Sequence, residues 1–493
     1  MQKLSRIYES ELHKIWLNQS FSSKLKTLSG DSVTILDVGT FNSDSAGPDF
    51  HNARVRLGNL VYVGDIEIDT DYNGWKSHGH NIDVKHNKVI LHVSLINKSN
   101  QHYVYTKDGR KVPSVCLTPY IHRNIIENLL VRDSEKKHVS KEKLKCESNS
   151  AAVEHDVKKR FLADLGIKRI SIKANRIYNR LKELAYLNEL KIKEPVVKYD
   201  LHQDFEKRKF MHEDFKDKKL WQQLFYELLF EALGYTKNKT MLLKLAQAVD
   251  INFLTKLDVK NDFKLSIESI LFNVSGLMPE VRNLPKDDVS DYTMSLFELW
   301  KNLNKFYDGE KFDEADWHFF RTRPQNFPTI RIAGGVRYLE MIFKENLIAN
   351  IITKIDQIQK IPVLIKSLQG LMIIKSEGFW KNHFVFDQQT KQETKYFVGI
   401  SRSDEIIINV IIPFFMVYFD VFGNKKLSKK VLAIYNYHDQ KFSNRLVEDI
   451  AKGINTKDLL KKSLYNQGMI ELYRSYCSKN KCLDCEIGKV VFK

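Results

Sequence analysis

Cysteine and long apolar segments are both scarce in this sequence. Five cysteines among 493 residues are too few for the disulfide framework of a small secreted protein. The longest apolar run, residues 406–419, is shorter than a helix that spans a bilayer and contains Asn409 and Pro413. The first residues carry charges throughout and lack the continuous apolar core of a secretion signal. We therefore expect an intracellular, cytoplasmic protein without a membrane partner.

Acidic residues are fewer than basic ones. The chain has 61 Asp and Glu against 78 Lys and Arg, which gives a net charge of +17. A basic protein favours an acidic partner, and nucleic acid is the usual one. The alternative is a bias of composition towards lysine that serves no partner. The oligomeric state stays open.

The spacing of apolar residues changes along the chain and predicts an α+β protein. Strand-like alternation dominates up to about residue 117, and helical spacing dominates beyond residue 150. The segment 133–150 is dense in charge and poor in apolar residues, which is typical of a linker. We predict a β-rich domain over residues 1–132, a helical domain over residues 151–320, and a helical C-terminal region over residues 321–493.

Several segments of the β-rich domain have the pattern of strands. These are residues 52–56, 60–69 and 89–95, and a hairpin made of 103–105 and 111–115. A short turn at Gly58 and Asn59 joins the first two segments into another hairpin. We expect that hairpin and the strand 89–95 to lie in one sheet. The first 30 residues show a loose apolar stripe and are predicted to be helical.

Three carboxylates alternate along the second strand of the first hairpin. Asp65, Glu67 and Asp69 share one strand face, because side chains alternate across a strand. Like charges on one face repel one another, and a hard cation would offset that repulsion. Together with Asp49, which precedes the first strand, they predict a site for Mg²⁺ or Mn²⁺. The alternative is a strand whose polar face lies in solvent.

The acidic positions resemble the PD-(D/E)xK nuclease core, in which an Asp before one strand and a Glu on the next hold the metal. Asp49 follows a proline, and Glu67 occupies the second acidic position. In that family a Lys two residues after the Glu orients the attacking water, but Asp69 stands there in this chain. Lys76 or His80 could take over the role of that lysine. The resemblance implies a nuclease-like mixed sheet with flanking helices, and catalytic roles for Asp49 and Glu67.

Histidines follow the carboxylates closely. His78 and His80 lie in a short polar segment, and His92 lies within the strand 89–95. Imidazoles serve as acid and base near neutral pH or bind transition metals. We therefore predict catalytic roles for His80 and His92. The alternative is that they are ordinary hydrogen-bonded structural residues.

A row of basic residues follows one face of a predicted long helix. Arg169, Lys173, Arg176 and Arg180 are spaced by four, three and four residues, one position out of phase with the apolar stripe. Such a row suits a phosphate backbone and is predicted to bind nucleic acid. The alternative is a solvated helix face.

Prolines stiffen a second basic segment. Arg321, Arg323 and Arg331 lie around Pro324 and Pro328. Rigidly held guanidinium groups bind phosphate or carboxylate through two hydrogen bonds. We predict contact of Arg323 and Arg331 with nucleic acid, or alternatively ion pairs that hold two domains together.

Three of the five cysteines are close together near the end of the sequence. Cys477, Cys482 and Cys485 have the spacing C-x4-C-x2-C, and the last pair has the spacing found in zinc and iron–sulfur sites. They predict a bound Zn²⁺ or an iron–sulfur cluster that needs a fourth ligand. Cys116, Cys146 or a distant histidine could supply it. The alternative is three reduced thiols without a metal.

Beyond these sites, the chain resembles domain of unknown function family 2851 over nearly its whole length. The resemblance is carried by Gly47, Pro48, Asp49, Phe50, residues 64–68, Trp75, His78, Gly79, His80, Asp83, residues 89–93, Leu165, Gly166, Arg169, Lys173, Arg323, Pro324, Asn326, Pro328, Arg331, Trp380, His383, Asn409, Pro413, Tyr476, Cys477, Cys482, Cys485, Ile487 and Gly488. This resemblance implies no particular activity.

The acidic, histidine and basic features together predict a metal-dependent phosphodiesterase or nuclease that acts on nucleic acid. A metal held by the carboxylates would lower the pKa of a bound water and neutralise charge on the phosphate. A non-catalytic adaptor that binds nucleic acid or protein is the alternative. A hydrolase of another substrate that uses the same histidines and carboxylates is a third hypothesis.

Overall fold

The computed structural model describes residues 9–22, 24–42, 47–99, 101–121, 144–190, 205, 207–257, 262–281, 289–319, 322–390, 393–440 and 444–492. The chain divides into two compact units. Unit 1 comprises Met1–Glu142 and Glu314–Phe327, and unit 2 comprises Lys143–Asp313 and Pro328–Lys493. Most of the predicted linker, residues 133–143, lies outside the described residues, so the predicted domain limits stay predictions.

Unit 1 is built on one sheet of eight strands. The strands are β1 (Leu25–Lys26), β2 (Ser32–Asp37), β3 (Thr40–Phe41), β4 (Phe50–Leu57), β5 (Leu60–Asp71), β6 (Val89–Ile96), β7 (Tyr103–Tyr105) and β8 (Lys111–Cys116). Their order is β1-β2-β4-β5-β6-β8-β7, and β3 pairs with β4. Strands β2, β4 and β5 are antiparallel, whereas β5, β6 and β8 are parallel. The prediction that the hairpin and the strand from residue 89 share one sheet is confirmed.

One face of β5 packs into an apolar core. Ile66 and Ile68 are fully buried there with Trp16 and Phe50. Trp16 belongs to helix α1 (Glu9–Leu17), which packs against β5. Leu12 and Ile15 of the predicted stripe lie in the same core.

Helix α1 is shorter than the sequence pattern predicted. It ends at Leu17, and the next described element is strand β1. The intervening residues include Asn18, Ser20 and Ser22, whose side chains compete with helical backbone hydrogen bonds. Gln19 adopts a left-handed φ of 47°, which an α-helix excludes. The prediction of a helix beyond Leu17 is wrong for this reason, and residues 1–8 lie outside the described part.

The other face of β5 is polar and nevertheless buried. Asp65, Glu67 and Asp69 have 7%, 0% and 0% of their surface exposed. The connection from β5 to β6 covers them with three short turns, which are α2 (Gly74–Ser77) and the 3₁₀ turns His80–Ile82 and Val84–Lys88. The alternative of a polar strand face in solvent is wrong because this crossover segment, residues 72–88, lies over it.

Unit 2 is mainly helical, as predicted, and the fold class α+β is confirmed. The helices are α3 (His155–Leu190), α4 (Lys218–Leu233), α5 (Lys239–Ala248), α6 (Ile251–Lys256), α7 (Phe263–Val274), α8 (Asp291–Leu303), α9 (Pro328–Phe343), α10 (Leu347–Gln357), α11 (Ile361–Met372), α12 (Ile400–Ile406), α13 (Ile412–Val421), α14 (Lys425–Tyr437), α15 (Arg445–Gly453), α16 (Ser463–Ser475) and α17 (Glu486–Val491). Four short strands complete the unit, namely β9 (Ile374–Lys375), β10 (His383–Val385), β11 (Gln388–Gln389) and β12 (Tyr396–Val398). A π-helical stretch, Ile407–Ile411, joins α12 to α13.

Helix α3 supplies much of the interior of unit 2. Its apolar stripe is buried as the spacing predicted, with Ile170, Ile177 and Leu181 at most 1% exposed. Near its start, Leu162 packs with Met469 of α16 in one apolar cluster. No helix in the described part of the chain combines the length and the apolar character that crossing a bilayer requires.

Candidate functional site

Parallel pairing of β5, β6 and β8 places polar side chains side by side on the covered face of the sheet. Glu67 on β5 lies opposite His92 on β6, and His92 lies opposite Ser114 on β8. The Nδ1 atom of His92 is 3.1 Å from Ser114 Oγ, and its Nε2 atom is 3.2 Å from Asp69 Oδ2. Since both ring nitrogens contact buried partners, His92 fixes the orientation of Asp69.

Asp49 reaches β5 through an irregularity at the start of β4. The register of the β4–β5 pair shifts between Phe50 and Ala53. The Asp49 carboxylate oxygen Oδ2 accepts a 2.9 Å hydrogen bond from the backbone N–H of Ile68. The backbone N–H of Asp49 donates to Glu67 Oε2 at 3.2 Å. Asp49 therefore lies directly beside Glu67.

The surroundings of the Asp49 carboxyl disfavour its ionised form. Burial raises its pKa, and the negative charge of Glu67 raises the pKa further, while His13 opposes both effects. The Nε2 atom of His13 lies 3.2 Å from Asp49 Oδ1. Two neighbouring carboxylates of this kind are stabilised by a proton or a cation between them.

The crossover segment brings three histidines onto Glu67 and Asp69. His80 Nε2 lies 3.0 Å from Glu67 Oε1 and 3.9 Å from Asp69 Oδ1. His86 Nε2 lies 3.6 Å from Glu67 Oε2, and His78 Nδ1 lies 2.8 Å from Asp69 Oδ1. The two carboxylates thus share a common group of imidazoles.

Trp75 and Gly74 hold the crossover segment close to the sheet. The buried Trp75 donates its indole N–H to the carbonyl oxygen of Tyr105 at 2.9 Å, and its ring centroid lies 5.3 Å from that of His80. A Cβ atom on Gly74 would lie closer than 3.0 Å to the side chain of Asp69. The close approach that builds the histidine group therefore requires glycine at position 74.

Two overlapping sets of side chains have the composition and spacing of a metal site. Glu67, His80 and His86 form one set, and Asp69, His78 and His80 form the other. In each set, one ligand atom per residue lies within 4.8 Å of the others. Because both sets include His80, whose Nε2 atom is close to both carboxylates, they describe neighbouring positions for a single ion.

Two carboxylate oxygens of this cluster have no hydrogen-bond partner within the described residues. They are Glu67 Oε1 and Asp69 Oδ1, and both are buried. A buried acceptor without a partner costs free energy of desolvation, more so when it is charged. Imidazole nitrogens approach these oxygens at 3.0 and 2.8 Å without meeting them in hydrogen-bonding directions. A cation bound beside these two carboxylate oxygens would satisfy them.

Electrostatics keeps the carboxylates of the cluster ionised. Burial acts to raise the pKa of Glu67, but the neighbouring imidazoles, above all the charge of His80, outweigh it and lower the pKa. Asp69 follows the same pattern, since the neighbouring imidazoles, His78 first, outweigh burial and lower its pKa. Burial acts to lower the pKa of His80, and Glu67 with Asp69 raises it instead. Ionised carboxylates are the form that binds metal cations.

The donor set indicates which cation fits. Carboxylates suit Mg²⁺ and Mn²⁺, whereas imidazoles suit first-row transition metals. Each set at this site combines two imidazoles with one carboxylate. Of the two predicted ions, Mn²⁺ fits these donors better than Mg²⁺.

The structure gives Asp65 different partners from those that the sequence predicted. Asp65 Oδ1 accepts a 3.1 Å hydrogen bond from the backbone N–H of Asn52 and lies 3.3 Å from His51 Nδ1. It belongs to neither ligand set. The irregular start of β4 turns the backbone towards Asp65, which the strand alternation did not reveal. Lys76 is exposed on α2.

His86 belongs to the site although the sequence interpretation omitted it. Its Nδ1 atom lies 3.6 Å from Asp83 Oδ2, while its Nε2 atom faces Glu67. Asp83 caps the 3₁₀ turn by accepting a 3.0 Å hydrogen bond from the backbone N–H of Lys85. The spacing of Asp83 and His86 by three residues is the signal that could have revealed this pair.

The predicted basic row on α3 ends with two arginines that are paired inside unit 2. Arg180 donates from Nε and Nη2 to the two carboxylate oxygens of Glu227 at 2.8 and 2.9 Å. Arg176 donates from Nη1 and Nη2 to those of Glu231 at 2.6 and 2.7 Å. The side chain of Arg176 is 54% exposed, whereas that of Arg180 is 17% exposed. The two glutamates lie on α4, four residues apart.

The other two cations of the row contact α16 and the π-helical stretch. Arg169 Nε donates to Gln467 Oε1 at 2.8 Å. Lys173 Nζ donates to Asn409 Oδ1 at 2.6 Å and to Gln467 Oε1 at 2.7 Å. Burial, followed by the charges of Arg169 and Arg176, lowers the pKa of Lys173 well below its usual value. Arg169, Lys173 and Arg180 are half-buried and do not face solvent as expected, because acidic and amide side chains of neighbouring helices pack against them, whereas Arg176 is exposed. Nucleic-acid binding by the row stays a prediction.

The proline-flanked arginines are assigned to different units. Arg331 is 5% exposed in unit 2, donates to the carbonyl oxygen of Phe397, and donates to Tyr235 Oη at 3.0 Å. Arg323 is exposed in unit 1, and Arg321 lies outside the described residues. The guanidinium of Arg331 thus makes its hydrogen bonds inside unit 2. Nucleic-acid contact by Arg323 and Arg331 stays a prediction.

The cysteines near the end of the chain lie in unit 2. Cys477 opens the 3₁₀ turn Cys477–Lys479, and Cys482 opens the turn Cys482–Asp484, which leads to Cys485. All five cysteines are free thiols. Cys116, on β8 of unit 1, donates from Sγ to the carbonyl oxygen of Leu95 at 3.3 Å.

Comparison with known proteins yields one family. A family model described as "Protein of unknown function (DUF2851)" matches residues 9–192 and 191–441. No curated protein and no solved structure matches the chain.

Proposed function

Because the chain belongs to the DUF2851 family, whose description states no activity, we propose a function from the geometry of unit 1: a metal-dependent phosphodiesterase that acts on nucleic acid. The observation that carries this proposal is the pair of buried oxygens without hydrogen bonds, Glu67 Oε1 and Asp69 Oδ1, next to imidazole nitrogens. A purely structural network would satisfy such acceptors with donors. Their arrangement therefore supports a bound cation.

Glu67, His80 and His86 hold the cation in this proposal. All three are fully buried, which provides the dry and rigid surroundings of a tight site. Asp83 lies on the far side of the His86 ring, 3.6 Å from Nδ1. Metal-binding histidines commonly have a carboxylate at their second nitrogen, which fixes the ring and raises its basicity.

The substrate approaches from the side of Asp69 and Asp49. His78, in contact with Asp69, has 33% of its side chain exposed, and Asp49 has 13% exposed. His78 is therefore the imidazole that can exchange a proton with a bound substrate, in place of the predicted His80 and His92. His80 serves as a ligand, and His92 positions Asp69 through its contacts on both nitrogens.

The chemistry of phosphodiester hydrolysis matches these groups. A bound Mn²⁺ supplies a water of lowered pKa and neutralises charge on the phosphate. Asp49 lies beside Glu67, and the repulsion between them is relieved by a cation. The net charge of +17 supports a polyanionic substrate such as DNA or RNA.

The alternative function is a non-catalytic adaptor in which the cluster only fastens the crossover segment to the sheet. The complete burial of Glu67, His80 and His86 favours it, because a substrate cannot contact these groups directly. In that case the charged cluster acts as a structural clamp.

Binding of Mn²⁺ tests the proposed site. Purified full-length protein is titrated with Mn²⁺, and the melting temperature is recorded, because a ligand of the native state raises it. We expect a saturable rise that is lost in Glu67→Gln and in His86→Gln. His102→Gln is the matched control, since His102 is exposed in the same unit, and it should keep the rise.

Cleavage separates the two functions. Single- and double-stranded DNA and RNA are incubated with the Mn²⁺-loaded protein, with the His78→Gln variant alongside. We expect cleavage that requires Mn²⁺ and falls in His78→Gln while the melting-temperature rise persists. Mn²⁺ binding without cleavage of any of these substrates would instead establish the structural clamp.

A further inference from the structure

Cys146 lies far from the other unit 2 cysteines in sequence and close to them in the fold. It lies near the start of unit 2 and packs against the same apolar cluster that contains Cys485 and flanks Cys477. Cys482 is joined to Cys485 by a turn, in which the backbone N–H of Cys485 donates to the carbonyl oxygen of Cys482 at 3.2 Å. Four thiols therefore converge at one end of unit 2.

The backbone around the last three cysteines is tightly folded. The backbone N–H of Lys481 donates to the carbonyl oxygen of Tyr476 at 3.0 Å, which reverses the chain between Cys477 and Cys482. A Cβ atom on Gly488 would lie closer than 3.0 Å to the carbonyl oxygen of Cys482. This close approach brings the backbone after Cys485 back onto the turn.

The four thiols are close enough to influence one another. Burial raises the pKa of Cys477 to about 12, and the charges of Cys146, Cys485 and Cys482 raise it as well. Burial likewise raises the pKa of Cys146, followed by the charge of Cys485. Burial raises the pKa of Cys485 as well, and the backbone groups of Gly488 and Ile487 oppose this effect. Because the thiols lie within electrostatic reach of one another, the four form one group of potential metal ligands.

We propose that Cys146, Cys477, Cys482 and Cys485 together ligate an iron–sulfur cluster. The last three have the spacing C-x4-C-x2-C, which together with one distant cysteine is the ligand pattern of plant-type [2Fe–2S] proteins. Cys146 supplies the distant ligand and completes the set of four.

The spacing of the last three cysteines favours a cluster over a single zinc ion. Zinc sites of four cysteines are commonly built from two C-x2-C pairs, whereas these residues contain one such pair, preceded by C-x4-C. A two-iron cluster divides its four ligands between two metal ions and accommodates this spacing together with the distant Cys146.

The ligands also place the cluster in the fold. Cys146 precedes α3, and the other three follow α16, which packs against α3. The cluster would therefore fasten the two ends of unit 2 to each other. The proposal stands independently of the Mn²⁺ site of unit 1.

Metal analysis of the full-length protein tests the proposal. The protein is purified without chelator under anaerobic conditions, and iron, acid-labile sulfide, zinc and the visible absorption spectrum are measured. We expect iron and sulfide in equal amounts with the absorption of an iron–sulfur cluster. Zinc in place of iron, or no metal after anaerobic reconstitution with iron and sulfide, would overturn the assignment.

Two variants identify the fourth ligand. Cys146→Ser should lose the cluster absorption and most of the iron, whereas Cys116→Ser, the matched control in unit 1, should retain both. If Cys146→Ser fails to fold by circular dichroism, Cys482→Ser tests the same set, because Cys482 is only partly buried. Full retention of iron and spectrum in the Cys146 variant would rule out Cys146 as a ligand.

Discussion

Unit 1 and unit 2 each bury opposite charges, and they do so in different ways. In unit 2, Arg180 and Glu227 are joined by two hydrogen bonds of 2.8 and 2.9 Å, so the carboxylate has a donor for each oxygen. In unit 1, Glu67 and Asp69 each keep a buried oxygen without a hydrogen bond although imidazoles surround them. A satisfied pair is complete by itself, whereas an unsatisfied oxygen needs another partner. The difference separates a structural ion pair from a ligand site.

The largest expected effect comes from breaking the satisfied pair. Arg180→Ala leaves Glu227, which is 2% exposed, as a buried charge without its main partner. We expect the free energy of unfolding to fall by about 3–5 kcal/mol, measured by urea denaturation. Arg176→Ala is the control: Arg176 is exposed and its partner Glu231 also contacts Lys239, with 3.2 Å between Glu231 Oε1 and Lys239 Nζ. A loss of about 1 kcal/mol or less is expected there, and equal losses in both variants would contradict the distinction.

The pH dependence of stability extends the comparison to Glu268, a buried carboxylate that accepts a hydrogen bond from the hydroxyl of Tyr292. Burial raises the pKa of Glu268 from 4.5 to about 7, and Tyr292 donates to it at 3.1 Å. Between these two pH values the folded protein binds more protons than the unfolded chain, so stability falls as the pH rises. We expect a loss of about 3 kcal/mol between pH 4.5 and pH 7 from this group. Glu268→Gln should remove that part of the pH dependence, and a parallel decline in variant and parent would refute the assignment.

The next largest effect on stability is expected at Gly74, whose backbone lies against the side chain of Asp69. Gly74→Ala forces a Cβ atom against the Asp69 side chain, which His78 and His92 hold in place. We expect the free energy of unfolding to fall by about 1–3 kcal/mol, as in other overpacked interiors. Gly370→Ala is the matched control on α11, where the added Cβ meets no atom within 4 Å. A helical position of this kind should gain up to about 1 kcal/mol.

The smallest expected effect concerns Asp83, which contacts the proposed metal ligand His86. Asp83→Asn keeps the shape of the side chain but removes the charge 3.6 Å from His86 Nδ1. We expect the affinity for Mn²⁺ to fall by about tenfold, measured by isothermal titration, while the fold is retained. Asp108→Asn, on an exposed turn of the same unit, should leave the affinity unchanged. An unchanged affinity in the Asp83 variant would mean that His86 is not a ligand.

Local patterns predicted the part of the site that depends on one strand. Alternation along β5 placed Glu67 and Asp69 on one face and Ile66 and Ile68 on the other, as the structure shows. The sequence could not reveal that a crossover segment covers the polar face. It also could not reveal the contact between Asp65 and the backbone of Asn52, because that contact depends on an irregularity in the neighbouring strand.

In unit 2, the sequence did not reveal which residues contact the basic row or the cysteines, because those partners are distant along the chain. The helical spacing of Arg176 and Arg180 predicted that they share a face of α3, and both indeed turn towards α4. Which surface meets that face depends on Glu227 and Glu231, some fifty residues later. Cys146 was one of several candidates for a fourth ligand, because local spacing carries no information about a partner that all the helices from α3 to α16 separate from the other cysteines in sequence.

The π-helical stretch Ile407–Ile411 sets how the side chains of α13 are rotated about the helix axis relative to those of α12. One extra residue in a helix turns everything after it by about 100° around the axis, because an α-helix has 3.6 residues per turn. Phe414, just beyond the stretch, has its ring centroid 4.7 Å from that of Phe225 on α4, and Asn409 within it accepts the hydrogen bond from Lys173. Deleting a single residue between 407 and 411 would therefore remove the contact between Lys173 and Asn409 and turn the ring of Phe414 away from α4, while Lys173 keeps its hydrogen bond to Gln467. Changing the length of this stretch by one residue therefore affects two contacts at once, the hydrogen bond at Asn409 and the ring contact of Phe414.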